Sequence, residues 1–353
     1  MPFPVSVTSS PLSNLSGYTL GEILHQGTRT VVCRAVHVTS QRPVVIKALR
    51  RDYPSLSELA QFRNQYVIAK NLAIPGIVRP LSLEPLGHGY ALVMADEGGI
   101  SLAAYAQQRW SQGTSLRLSL PWPEILQIAL QLTDILYGLY QHRIIHKDIK
   151  PANLLIHPTS KAVQLIDFSI ASLLPKEKQE LQSPNRLEGT LAYLAPEQTG
   201  RMNRGVDYRA DYYALGCTLY QLLAGRLPFE ADDPLELVHC HMAKVATPVH
   251  QINLMVPQQL SAIVAKLMAK NAEDRYQCAL GLKHDLEECL TQWKNTGTIA
   301  TFDLGQRDEC DRFTIPEKLY GRGTEVQALL SAFDRISIRE ADGIAAPPCE
   351  LML

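Results

Sequence analysis

One stretch of the sequence decides the fold: His146-Lys147-Asp148-Ile149-Lys150-Pro151-Ala152-Asn153. The Asp148 carboxylate can accept a proton from a hydroxyl, and the Lys150 ammonium can neutralise charge on a phosphoryl group. Asn153, five residues after Asp148, can bind Mg²⁺ through its amide oxygen. A base, a cation and a metal ligand in one loop between a long predicted helix and a strand predict a site for phosphoryl transfer.

Other motifs accompany this loop on both sides. Lys47 follows the apolar run Val44-Val45-Ile46, and Asp167-Phe168 comes 19 residues after Asp148, at the end of an apolar strand. Further along the chain are two more motifs: Ala195-Pro196-Glu197, and Asp211 in Asp-x-x-x-Leu-Gly.

Together these motifs resemble the protein kinase superfamily over residues 18–293. Lys150 and the pair Gly189-Thr190 resemble its serine/threonine type. The resemblance implies an α+β fold of two lobes, a small antiparallel β lobe and a large helical lobe. It also implies a bacterial signalling enzyme that uses ATP and Mg²⁺ and phosphorylates protein serine or threonine hydroxyls.

The resemblance also assigns roles to residues. Catalytic roles fall on Asp148, Lys150 and Lys47; nucleotide contacts on Leu24, Gly27, Val32, Lys47, Asn153 and Asp167; and metal binding on Asn153 and Asp167. Structural roles are implied for Glu197, which would pair with Arg275, and for Asp211, which would hold the catalytic loop. The Thr190 hydroxyl would contact Asp148 and Lys150.

The glycine-rich loop departs from the family pattern. Only the central Gly27 remains of three glycines, because His25 and Thr30 occupy the other two positions. Glycine lets backbone amides approach phosphate closely, so we expect a stiffer loop and weaker nucleotide binding.

Three single residues also depart from the pattern. Gln65 stands where a glutamate would pair with Lys47, and a neutral partner loses charge assistance. Ser169 replaces the glycine after Asp167-Phe168. Lys147 replaces an arginine, and lysine lacks the planar fork that holds a phosphate bidentately. We therefore expect weak dependence on phosphorylation of the activation segment, at Ser183 or Thr190.

Periodicity of apolar residues divides the chain. We predict a disordered N-terminus over 1–17, a β-rich part with one helix over 57–72, and a helical part whose longest helix covers 123–142. A polar linker is predicted over 294–318. Residues 319–353 are predicted to begin a truncated P-loop ATPase-like domain, although a simple C-terminal helix and tail is an alternative.

That last prediction depends on a second resemblance. Residues 197–211 and the run Leu319-Tyr320-Gly321-Arg322-Gly323-Thr324-Glu325 resemble large bacterial sensor kinases. In those proteins a serine/threonine kinase domain precedes an ATPase module and histidine-kinase modules. Further C-terminal signalling modules are therefore possible partners.

Bulk properties exclude several other classes of protein. The 353 residues carry a formal net charge of −1, which gives no electrostatic reason to expect a nucleic acid partner. No apolar stretch reaches the length of a membrane span. The seven cysteines are scattered without a Cys-x-x-Cys pair, which indicates free thiols in a reducing compartment. We therefore expect a cytoplasmic protein.

Three readings remain open from the sequence. The leading one is an active serine/threonine kinase. The second is a weakly active or inactive kinase-fold module that binds nucleotide or partners within a larger signalling protein. The third is a small-molecule phosphotransferase of related fold, which Ala195-Pro196-Glu197 and Gly189-Thr190 disfavour.

Overall fold

The computed structural model describes residues 12, 15–112, 120–173, 189–201 and 205–309. Several sequence-based expectations fall outside these residues. They are the disorder of most of 1–17, the modification of Ser183, and the segment 319–353.

An antiparallel sheet and one helix form the small lobe. The strands are β1 (Tyr18–Gln26), β2 (Thr30–His37), β3 (Pro43–Leu49), β4 (Pro80–Leu86) and β5 (Gly89–Ala95), and the helix is α1 (Leu56–Ala69). The strand order is β1-β2-β3-β5-β4.

The two faces of this sheet bury different partners, since side chains alternate along a strand. On one face, alternate residues of β2, β3 and β5 pack with Leu12 and Leu15. On the other face, Leu92 and Met94 of β5 pack with Phe62 of α1. Helix α1 therefore packs against the face of the sheet that carries Lys47.

Helix α1 begins at a capping box. The Ser55 hydroxyl accepts from the main-chain N–H of Glu58, and the Glu58 carboxylate accepts from the N–H of Ser55 at 2.8 Å. The helix ends at Ala69, three residues before the predicted end at residue 72. Leu72 fits the apolar pattern because it is buried in the core, although it lies outside the helix.

Helices form most of the large lobe. They are α2 (Leu102–Gln112), α3 (Trp122–Gln141), α4 (Arg209–Ala224), α5 (Pro234–Ala243), α6 (Val249–Ile252), α7 (Gln258–Leu267) and α8 (Ala279–Thr296). Helix α4 is buried on almost all sides and forms the centre of the lobe. The α+β fold of two lobes is thus confirmed.

A short three-stranded sheet and one strand pair complete the large lobe. These strands are β6 (Ile100–Ser101), β7 (Ile144–Ile145), β8 (Leu154–Ile156), β9 (Val163–Leu165) and β10 (Ser172–Leu173). Strand β8 lies between β6 and β9, and β7 pairs with β10. The loop 146–153 therefore has a strand at each end.

The chain continues along the large lobe after α8. Gly297, with φ of +70°, ends the helix, and Ile299, Phe302 and Leu304 pack against the core. The Asp308 carboxylate accepts from the main-chain N–H groups of residues 277 and 278. Residues 294–309 of the predicted linker are thus partly helix and partly a segment bound to the lobe.

Candidate active site

A buried carboxylate of helix α4 binds the main chain of the loop 146–153. Asp211, near the start of α4, accepts from the main-chain N–H groups of His146 and Lys147, each at 2.8 Å. Burial raises the pKa of Asp211, while these hydrogen bonds favour its charged form. The contact between Asp211 and the loop that the resemblance implied is confirmed.

The Asp148 carboxylate is fixed at both oxygens. Oδ2 accepts from Lys150 Nζ at 2.7 Å and from Asn153 Nδ2 at 2.8 Å. Oδ1 accepts from the Thr190 hydroxyl at 2.9 Å and from the Thr190 N–H at 3.1 Å. The structure therefore brings Asp148, Lys150, Asn153 and Thr190 together.

His146 joins this loop to the segment after β9. Its Nε2 lies 3.1 Å from the carbonyl oxygen of Ile166, and its ring meets the Phe168 ring edge-on at 4.8 Å. Both side chains are fully buried. The position of Asp167 is therefore coupled to the loop that carries Asp148.

Lys47 approaches from the small lobe. Its Nζ lies 2.8 Å from Asp167 Oδ2 and 3.1 Å from Gln65 Oε1. Partial burial would raise the pKa of Asp167, but the charge of Lys47 and hydrogen bonds from Lys47 and Ser169 lower it to about 2. Asp167 is thus ionised near neutral pH.

Asn153 and Asp167 have the chemistry of a magnesium site. Both protons of the Asn153 amide point to Asp148, so its Oδ1 is the atom left to bind a metal. Mg²⁺ is usually held by one or two protein oxygens together with phosphates and water. Across the described ranges, no group of three or more His, Cys, Asp or Glu side chains offers a metal cage made of protein alone.

Three of the residues predicted to contact the nucleotide lie on β1, on β2 and in the turn between them. Val32 stands opposite Lys47 in the sheet register, and Leu24 is 41% exposed. Gly27 makes a tight turn, donating its N–H to Thr30 O at 2.9 Å. Arg50, which directly follows β3, donates from Nη1 to Gly27 O at 2.6 Å and so connects this turn to the end of β3.

A buried ion pair anchors the far end of the site. Arg275 Nη1 and Nη2 donate to the two Glu197 oxygens at 2.7 and 2.8 Å. Arg275 is 1% exposed and also donates to the main-chain oxygen of Arg209. The predicted pair of Glu197 and Arg275 is confirmed.

The family model for the protein kinase domain matches residues 18–286. The chain belongs to the protein kinase family. Protein kinases in general use ATP and Mg²⁺.

Several bacterial proteins are similar to this kinase. It is 32% identical over 293 residues to the probable serine/threonine-protein kinase PknB of Bifidobacterium longum. The match covers 79% of this chain and 40% of that protein. It is 33% identical over 274 residues to the serine/threonine-protein kinase PknB of Mycolicibacterium smegmatis, with 76% and 42% covered. Each match therefore covers less than half of the relative's length.

Two of the departures, Ser169 and Gln65, fit the site without backbone strain, whereas Lys147 has a left-handed backbone with a φ of 69°. Ser169 is not among the described residues with positive φ, so no left-handed backbone disfavours a side chain there. Gln65 takes the place of the expected glutamate and keeps a hydrogen bond to Lys47.

One residue of this kinase site was missed by sequence reasoning. Asn64 of α1 donates to main-chain oxygens of the segment after Asp167. No pattern in the sequence separates it from a solvated asparagine on a helix.

In the described part of the kinase, no helix is both long and apolar enough to cross a bilayer.

Proposed function

We propose that this kinase domain transfers the γ-phosphoryl group of ATP to serine or threonine hydroxyls of proteins in bacterial signalling. The observation that carries the proposal is the fixed carboxylate of Asp148, with Lys150, Asn153 and Thr190 around it. Its serine/threonine kinase relatives support the same class of substrate.

Each residue has a distinct part in the proposed reaction. Asp148 accepts the proton of the substrate hydroxyl, and Lys150 offsets charge on the transferred group. Lys47 binds the phosphates, and Asn153 and Asp167 hold Mg²⁺, which neutralises charge that develops on the phosphates. The Thr190 hydroxyl contacts both Asp148 and Lys150 and would hold these two side chains in place for the substrate hydroxyl.

Radiolabel transfer from ATP to a generic basic protein tests this proposal. The full chain and the Asp148→Asn variant are compared, because loss of a general base costs roughly 10²–10⁴-fold in rate. Asp134→Asn is the matched control, since that carboxylate is 59% exposed and pairs with Lys283 on the surface. Equal labelling by the wild type and Asp148→Asn would refute the proposed activity.

A second function is favoured by the small lobe. His25, Thr30 and Gln65 weaken the phosphate-binding features, which fits a module that binds nucleotide or partners with little turnover. A thermal shift by ATP and Mg²⁺ together with no label transfer would favour this function over the first.

The surroundings of the domain are also a proposal. The motifs in 197–211 and 319–325 support placing it in a multidomain sensor kinase, with further signalling modules as partners. The five described cysteines are buried and free, which fits the reducing cytoplasm. Detection of a single polypeptide that carries both this domain and histidine-kinase activity would test the first point.

A further inference from the structure

Asn64 connects helix α1 to the segment that follows Asp167. Its Nδ2 lies 2.9 Å from the carbonyl oxygen of Ala171, 3.1 Å from that of Ser169 and 3.4 Å from that of Phe168. An amide has two protons, so the two shorter contacts are the effective hydrogen bonds. More than a hundred residues of chain separate Asn64 from these partners.

The segment held by Asn64 directly follows a residue with an unfavourable backbone conformation. Asp167 has a φ of 69°, a left-handed conformation that is unfavourable for a residue with a side chain. Such a conformation persists where the surroundings fix it. On one side Phe168 packs against His146. On the other side, the donors from Asn64 hold the carbonyl groups of the next residues.

Neighbouring residues of one helix thus contact the charged Lys47 and the segment that follows the charged Asp167. Gln65 binds Lys47, and Asn64 binds the segment that begins at Asp167. In a kinase with a Lys–Glu ion pair, charge helps to hold this helix against the cleft. Gln65 supplies no charge here, so the contacts of Asn64 carry more of that task.

We propose that Asn64 is a positioning residue: by holding the carbonyl groups of Ser169 and Ala171, it keeps the Asp167 carboxylate oriented toward the metal position. The metal in this inference rests on the proposed function. The hydrogen bonds between helix α1 and the segment 168–171 do not depend on that function.

Two measurements on the full chain test the proposal without relying on turnover. The first is amide hydrogen exchange at residues 168–171 in the absence of ligand. The second is the Mg²⁺ concentration that gives half of the thermal shift produced by ATP. In Asn64→Leu, which has similar volume but no donors, we expect exchange to be about tenfold faster and half-saturating Mg²⁺ about tenfold higher.

Matched variants separate positioning from general loss of stability. Arg63→Ala changes an exposed residue on the same helix and should leave both readouts at wild-type values. Asn64→Ser shortens the side chain out of reach of both carbonyl groups, and it decides the matter if Asn64→Leu does not fold. Asn64→Asp places a carboxylate against carbonyl oxygens and should raise the half-saturating Mg²⁺ at least as far as Asn64→Leu.

Clear outcomes would overturn the proposal. Wild-type exchange at 168–171 and wild-type Mg²⁺ dependence in a folded Asn64 variant would show that Asn64 positions nothing, even with a lower melting temperature. A wild-type chain that ATP and Mg²⁺ do not stabilise would overturn the metal-positioning role. Absence of label transfer with both readouts shifted would refute the proposed kinase activity and leave the role of Asn64 standing.

Discussion

The ammonium of Lys47 lies 2.8 Å from Oδ2 of Asp167, so the proposed phosphate-binding cation and the proposed metal ligand form an ion pair. Only 13% of the Lys47 side chain and 26% of the Asp167 side chain are exposed, which limits screening by water. Bound phosphates and metal would have to replace this pair with their own contacts. The ion pair therefore makes a contribution to stability that depends on pH.

Acid should remove that contribution. The pKa of Asp167 is lowered from 3.8 to about 2, so the carboxylate stabilises the fold above pH 3.8, and this stability is lost as pH falls toward 2. The shift corresponds to about 2 kcal/mol in the free energy of unfolding. Urea unfolding at a series of pH values should show this loss in the wild type and not in Asp167→Asn. Asp134 belongs to an exposed ion pair, so Asp134→Asn should keep the wild-type dependence of the free energy of unfolding on pH.

The residues that the sequence predicted well are those whose chemistry restricts them. Asp148, Lys150 and Asn153 stand at fixed spacing in one loop, and the structure brings their polar atoms together. Glu197 and Arg275 are far apart in the chain, yet a family motif identified each of them, and they form a direct ion pair.

Other features left too little trace in the sequence. Helix α2 (Leu102–Gln112) was not predicted, because its apolar residues are mostly consecutive at its start and give too short a periodic pattern. Residues 298–309 look like a polar linker, but Ile299, Phe302 and Leu304 pack against the core, and a main-chain oxygen and the partly buried Asp308 carboxylate accept hydrogen bonds from the lobe. Composition does not reveal these contacts. Asn64 likewise acts on carbonyl groups, and any residue type supplies those.

Restoring a charge beside Lys47 should increase activity. Gln65 is 4% exposed and its Oε1 accepts from Lys47 at 3.1 Å, so Gln65→Glu places a carboxylate at the same point. Charge-assisted hydrogen bonds are about twice as strong as neutral ones, so kcat/KM for ATP should rise severalfold, up to about tenfold. Initial rates at varied ATP measure this. Gln65→Leu should lower kcat/KM, and a Glu variant no better than wild type would show that Lys47 is already well placed.

Breaking the buried pair of Glu197 and Arg275 should be severe. Both residues are almost fully buried, and removal of one charge leaves the other in a low-dielectric interior. Glu197→Gln should lower the free energy of unfolding by about 3–5 kcal/mol. Urea denaturation checks the value. The surface pair of Lys283 and Asp134 is the matched control, and Lys283→Met should cost about 1 kcal/mol or less. A loss of similar size in both variants would contradict the burial argument.

The segment after α8 should contribute to the stability of the large lobe through Asp308. Its Oδ2 accepts from Gln277 N at 2.7 Å and its Oδ1 from Cys278 N at 2.8 Å, so it binds the two residues that lead into α8. Removing the acceptor leaves these two partly buried N–H groups without their partner, which costs about 1–3 kcal/mol, and we expect Asp308→Ala to lower the free energy of unfolding by that amount. Thermal and urea unfolding of the full chain measure it, with the exposed Asp303→Ala as control.

A second variant tests the same contact from the side of the helix. A Cβ atom added at Gly281 would lie 2.6 Å from the Cα of Asp308, closer than the backbone allows. Gly281→Ala should therefore destabilise the lobe, although alanine favours helices more than glycine does by about 1 kcal/mol. If this segment were a loose linker, the Ala variant would instead be more stable than the wild type. The sign of the change in melting temperature for Gly281→Ala thus decides whether residues 298–309 belong to the folded lobe in solution.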